Sequence, residues 1–221
     1  MPATSKFTTM KLGLLADIHE GVASLRLAID RFASEKVDQI IVLGDVFTVG
    51  DAIVEVCSLL LEVGAVGVWG NHDYLLCRKS VGILRKEYSQ GVATFMKSLR
   101  PTLVIEWCHF THVLPSLDAM QPVDLWYLDG PPQACDVLSD VFSSVPHRAL
   151  FCGHFHRWLL YTPAGRQEWD GSSRVIIDDR DRYFFVLGPA FQGCHSVFDL
   201  DSRVFQPFNS LQSKNEEGEV L

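Results

Sequence analysis

Four short apolar runs in this chain each stop at a small residue or cysteine and pass directly into carboxylate, imidazole or amide side chains. Residues 12–16 lead into Asp17-Ile18-His19, residues 40–43 into Gly44-Asp45, residues 65–69 into Gly70-Asn71-His72-Asp73, and residues 149–152 into Gly153-His154-Phe155-His156. Each run has the length and apolarity of a strand covered on both faces. Between the first three lie apolar residues at helical spacing: Val22, Leu25, Ile29 and Phe32, then Ile53, Val56, Cys57, Leu60 and Leu61 up to a terminating Gly64. Strand, helix, strand, helix, strand implies a largely parallel sheet with right-handed crossovers. Ligands of such sheets bind beyond the carboxyl ends of the strands. Asp17, His19, Asp45, Asn71 and His72, far apart in the chain, are therefore expected at one edge.

The rest reads more coarsely. Residues 74–99 are expected as helix with breaks at Gly82 and Gly91, their lysines and arginines a solvated face from which one or two could reach a phosphate. Residues 103–111 read as one strand, 115–132 as irregular, and 134–145 as helix. Short strands at 158–161, 174–177, 183–187, 196–200 and 204–208 suggest an antiparallel or mixed second sheet packed on the first. Residues 1–10 read as a loose leader, 11–208 as a single domain, and 209–221 as a polar, acidic tail.

Composition removes several function classes. A net charge of −8 over 221 residues disfavours a general nucleic-acid binder, which needs a basic face. No apolar run approaches the ~18 residues of a membrane span, and the polar first ten residues lack the apolar core of a signal peptide. The six cysteines are scattered without a Cys-x-x-Cys pair, so they read as reduced thiols of a cytoplasmic protein, not as a zinc knuckle.

Taken together, the strand exits and a histidine at 109 or 112 gather carboxylate, imidazole and amide donors without thiolate. Such a set suits Mn, Mg, Zn or Fe, with manganese preferred. Seven or eight donors are too many for one ion and suited to two sharing a carboxylate. His109 and His112 both lie near one strand end, and the residues alone leave either as the donor.

This series, Asp-x-His, Gly-Asp, Gly-Asn-His-Asp, a lone His and Gly-His-x-His, resembles the calcineurin-like metallophosphoesterase superfamily, with every block present in order between residues 17 and 156. The short chain and the Asp17-to-Gly21 opening look like its compact bacterial and archaeal phosphodiesterase group. The resemblance implies an α/β fold: a two-sheet α-β-β-α sandwich with mixed sheets and helices on both outer faces. It implies that Asp17, His19, Asp45 and His156 hold one divalent ion, and that Asp45 bridges to a second completed by Asn71, His112 and His154. His72 would be the general acid or charge stabiliser, oriented by Asp73. The implied reaction is in-line attack of metal-bound hydroxide on the phosphorus of a small phosphodiester, such as a cyclic nucleotide or small nucleotide derivative.

The same metal core serves phosphomonoesterases, so a nucleotide or protein phosphatase is the alternative, and a protein-binding scaffold that keeps the fold is a third reading. A scaffold sits poorly with a complete donor set. His147 and His195 lack such neighbours and read as structural or surface residues. Gly188-Pro189 and Gly193-Cys194 form either a loop beside the site or a plain turn. Trp126 and Tyr127 could line a substrate pocket, but packing beneath a long loop is the preferred reading.

Overall fold

Which side chains alternate along each strand decides how the layers stack. The computed structural model describes residues 10–132 and 135–211; the expected leader up to residue 9 and the tail from residue 212 lie outside the described residues. Strands β1 (Lys11–Leu15), β2 (Gln39–Leu43) and β3 (Val66–Val68) alternate with helices α1 (Val22–Glu35) and α2 (Ile53–Glu62), and the three strands pair in parallel. In register, Leu14 stands beside Ile41 and Leu15 beside Val42. Because strand side chains alternate, Leu14 and Ile41 enter a core between two sheets, while Leu15 and Val42 meet α1 and α2 through Phe32, Val56 and Leu60.

Three helices follow, α3 (Tyr74–Arg78), α4 (Val81–Glu87) and α5 (Gln90–Ser98). The expected breaks at Gly82 and Gly91 are corrected: both glycines lie inside helices. The interruptions fall at Ser80 and Ser89, whose side chains accept from the backbone N–H of Ile83 and Val92 as N-caps. The expected strand over 103–111 is a hairpin, β4 (Leu103–Ile105) and β5 (Cys108–Phe110), turned at Glu106 with φ of 52°. The segment expected to be irregular contains a short helix, α6 (Pro122–Leu125), and α7 (Cys135–Ser144) follows.

The remaining strands are β6 (Ala149–Cys152), β7 (Leu159–Thr162), β8 (Gly165–Arg166), β9 (Val175–Ile176), β10 (Tyr183–Val186), β11 (Cys194–Asp199) and β12 (Val204–Asn209), with a 3₁₀ turn at Ala190–Gln192. They do not form one second sheet, as the sequence suggested. β11, β12 and β9 extend the first sheet, giving the order β3-β2-β1-β11-β12-β9, whereas the second runs β4-β5-β6-β10-β7-β8. Both sheets are mixed: β11 meets β1 antiparallel, while β6 lies parallel to β5 and β10.

Between the sheets, Phe151, Phe185, Phe198 and Phe205 pack with Leu12, Leu14 and Ile41. On the outer side of the second sheet, Leu150, Phe184 and Val186 meet Leu138, Val141 and Phe142 of α7. The architecture is the expected α-β-β-α sandwich. No helix among the described residues is long and apolar enough to cross a membrane.

Candidate metal centre

Beyond β1 and β2 the two chains stay joined backbone to backbone. The N–H groups of Asp17, His19 and Glu20 donate to the carbonyls of Gly44, Asp45 and Val46 at 3.1, 2.9 and 3.0 Å. Holding these turns puts Asp17, His19 and Asp45 in the left-handed region, at φ of 53°, 43° and 53°, and after β6 His154 and His156 adopt 68° and 51°. A residue with a Cβ avoids that region. Two glycines set how closely the turns meet. A Cβ on Gly70 would lie 2.1 Å from Asp45 Oδ1, and Gly44, at φ of 86°, would place one 2.5 Å from the Gly70 nitrogen.

Asp73 and Glu20 lock these turns. The buried Asp73 carboxylate accepts from the N–H groups of Val46, Phe47 and Gly70 at 2.9–3.0 Å. This corrects its expected role: among the described residues no hydrogen bond joins it to the His72 ring, and it ties the turn after β2 to the turn after β3. Burial and the nearby Asp45 push its carboxyl up to about 7 against the pull of those N–H groups. Glu20, which sequence reasoning passed over, accepts from Thr48, Gly50 and Ala52 and shapes the 47–52 loop. A glutamate between a helix start and a histidine gives no signal of contacts thirty residues away.

Asp17, His19, Asp45 and His156 converge so that one ligating atom of each lies within 4.8 Å of the others. His19 Nε2 is 3.2 Å from His156 Nε2 and 3.6 Å from Asp45 Oδ2, and His156 Nε2 is 3.5 Å from Asp17 Oδ1. Asp17 also accepts the His154 N–H at 3.0 Å, which draws the turn after β6 onto the turn after β1. Burial lowers the His19 pKa despite both carboxylates, whereas the hydrogen bond to Asp17 raises that of His156.

A second set adjoins the first. Asn71 Oδ1 lies 3.0 Å from His112 Nε2 and 3.1 Å from His154 Nδ1. The other nitrogen of each ring faces a carbonyl, Leu43 O for His112 and Tyr127 O for His154, both at 2.7 Å. A neutral imidazole has one N–H. If the carbonyl takes it, the second nitrogen aims its lone pair at the amide oxygen, an arrangement that fits a cation between them and is the usual orientation of metal-bound histidine. Asp45 Oδ2, 3.4 Å from His112 Nε2, belongs to both sets. Without a cation, Asp45 and His112 hold each other ionised. Burial opposes this, but the pairing keeps the Asp45 carboxyl below its ordinary range and His112 up at about 9. Burial lowers His154, with His112 adding to the effect. The donors are oxygen and imidazole nitrogen throughout, so these residues fit a pair of hard or borderline divalent cations.

The structure brings all seven expected donors to one edge, and His112 rather than His109 reaches the cluster. His109 lies in β5 with its ring stacked 5.3 Å from His147. His195 is buried between Phe32 and Phe208. His72 stands at the mouth, its N–H donated to Asp45 Oδ1 at 3.0 Å and its ring edge-on to His19 at 5.0 Å. The preferred reading of Trp126 is corrected. It does not pack beneath the loop: it is 49% exposed, with its ring 5.3 Å from that of His72. The loop beside Gly188-Pro189 does reach the site, where Phe191 lies edge-on to His19 and His156 at 5.5 and 5.4 Å.

The family model described as the calcineurin-like phosphoesterase superfamily domain matches residues 10–167. A metallophosphoesterase from Sphaerobacter thermophilus superposes with a TM-score of 0.72 at 16% identity, covering 95% of each chain. A structure described as an archaeal phosphodiesterase gives 0.53 at 16% identity over 90% of this chain and 99% of that one. A protein serine/threonine phosphatase from Saccharomyces cerevisiae gives 0.54 at 14% identity over 93% and 82%. No curated protein matches by sequence.

Proposed function

The chain belongs to the calcineurin-like phosphoesterase superfamily, and from that premise we propose that it is a dinuclear phosphodiesterase acting on a small phosphodiester, such as a cyclic nucleotide or small nucleotide derivative. One observation carries the dinuclear reading: Asp45 Oδ2 lies between two donor sets, 3.6 Å from His19 Nε2 and 3.4 Å from His112 Nε2. Asp17, His19, Asp45 and His156 would hold one cation, and Asp45, Asn71, His112 and His154 the other. Two bound divalent cations, manganese in this proposal, would supply charge neutralisation at the phosphoryl oxygens and a water acidic enough to react at neutral pH.

The chain's own groups supply the rest. The backbone N–H of His72 fixes this residue to the bridging carboxylate, which keeps its imidazole beside the cluster. From there a ring N–H can pass its proton to the departing ester oxygen. Asp73 contributes by holding the two turns that carry Asp45, Asn71 and His72 in register. Phe191 and Trp126 each border the cluster, next to His156 and His72 respectively.

Two observations support a diester over a monoester. Two aromatic rings, Phe191 and Trp126, border the cluster and suit a phosphorus that carries two organic groups. A diester also carries one negative charge where a monoester carries two, and among the described residues no lysine or arginine bonds to any group of the cluster. The archaeal phosphodiesterase shares the fold, but so does the yeast phosphatase, so the flanks of the site support the choice. The buried, unpaired thiols of Cys57, Cys77, Cys108, Cys152 and Cys194 support a reducing compartment, proposed as the cytoplasm.

The test uses metal-stripped protein, restored with Mn, Mg, Zn or Fe and offered an aryl phosphodiester and the matching monoester. Metal-dependent cleavage favouring the diester is expected. Preference for the monoester would replace this reading with a phosphatase, and inactivity on both with two ions bound would favour a scaffold.

A further inference from the structure

We propose that Trp126 is a specificity-determining residue, a stacking platform that selects phosphodiesters whose departing group is a planar aromatic ring. The inference rests on the phosphodiesterase reading and names the substrate class for that same site.

The ring lies where a departing group must lie. Its centroid is 5.3 Å from that of His72, the proposed proton donor, with the planes inclined at 51°. An ester oxygen accepting the His72 proton would therefore carry its substituent past the indole. Half of Trp126 faces solvent, which leaves the indole within reach of a ligand.

Its backbone is fixed from two sides. The preceding Leu125 is fully buried, and the following Tyr127 gives its carbonyl to His154 Nε2 at 2.7 Å. The Trp126 N–H donates to Pro122 O at 3.0 Å. The platform is thus tied directly to the candidate metal centre, so little ordering is needed on binding. A flat aromatic group matches this platform better than a sugar alone or a short alkyl chain, because a ring can cover the indole face.

The experiment compares wild type, Trp126→Ala, Trp126→Leu and Trp126→Phe, each loaded with Mn and checked for metal content. Substrates are methyl 4-nitrophenyl phosphate and methyl 2,2,2-trifluoroethyl phosphate. Intrinsic reactivity cancels when each variant is divided by wild type on the same ester. Stacking predicts that Trp126→Ala and Trp126→Leu raise KM for the aryl ester about tenfold more than for the fluoroalkyl ester, while Trp126→Phe stays near wild type. Leucine keeps the site apolar, so this comparison survives if the alanine variant unfolds.

A second readout is independent of turnover. (4-Nitrobenzyl)(methyl)phosphinate, whose two P–C bonds leave no ester to hydrolyse and whose nitroaryl ring is a quencher, should quench tryptophan emission in wild type and not in Trp126→Phe. Equal effects on both esters, or quenching that persists in Trp126→Phe, would overturn the platform while leaving the phosphodiesterase reading intact. A metal-loaded wild type that cleaves neither ester would instead overturn the phosphodiesterase reading, and the platform with it.

Discussion

Of the nine non-glycine residues with positive φ among those described, five are candidate donors: Asp17, His19, Asp45, His154 and His156. Such conformations cost on the order of 1–3 kcal/mol each and persist where the surroundings over-determine them. Here the determinants are visible: the ladder between the first two turns, the Asp73 carboxylate across three N–H groups, and the grip of Asp17 on His154 N–H. His72 differs from the donors, because its side chain borders the cluster without joining it. His72→Ala should therefore retain both cations while kcat falls by roughly 10²–10⁴-fold. Metal analysis of the purified variant, set beside its kinetics, separates the roles; loss of metal would make His72 a ligand. The donors were legible from sequence because each sits within four residues of the end of an expected strand. Trp126, Phe191 and Glu20 were not, because their roles depend on loop paths that no periodicity encodes.

At the scale of elements, polar side chains outside the site decide where helices stop. Ser80 and Ser89 break the 74–99 segment, and the sequence reading overlooked them in favour of Gly82 and Gly91. A serine cap competes well with glycine as punctuation, since it satisfies an N–H that the helix leaves open. Likewise Arg182, in the charged segment between β9 and β10, donates to the carbonyls of Phe142, Val145 and His147 and clamps the end of α7 against β10. Several charge-assisted bonds are lost together in Arg182→Ala, so about 2–4 kcal/mol of stability should go. That corresponds to a Tm lower by roughly 4–16 °C for a chain of this size, with activity at low temperature preserved. An unchanged Tm would mean that water replaces the clamp. Sheet membership of the late strands was also beyond the sequence: β9, β11 and β12 carry the same short apolar patterns as β7 and β10. Only long-range pairing, β11 onto β1 and β10 onto β6, assigns them.

For the molecule as a whole, two histidines outside the cluster make stability depend on pH. Burial holds His195 and His109 down at about 4, with His147 adding to the effect on His109, against an ordinary value of 6.5. Above about pH 6.5 neither state binds these protons, so nothing is lost. As the pH falls towards 4 the unfolded chain takes them up and the folded chain does not, so stability declines by up to about 1.4 kcal/mol per pH unit for each ring. Below about 4 their contribution levels off. The urea midpoint of metal-free wild type, taken relative to that of His195→Phe, should therefore fall from pH 7.5 to 6 to 5, since the cluster groups titrate alike in both proteins. Identical slopes in variant and wild type would rule out His195 as a source. The fold itself was legible at this scale because strand-helix alternation and four polar strand exits leave few ways to bury the apolar runs.

In the proposed centre the Asp45 carboxylate would join two metal sites. Metal-stripped wild type and Asp45→Ala should be titrated with manganese under chelator-buffered conditions, counting bound ions and following cleavage of an aryl phosphodiester in the same samples. Two ions per wild-type chain are expected, with activity appearing as the second binds, and Asp45→Ala should bind fewer and turn over nothing measurable. A single ion at saturation, or wild-type turnover in Asp45→Ala, would contradict the shared carboxylate.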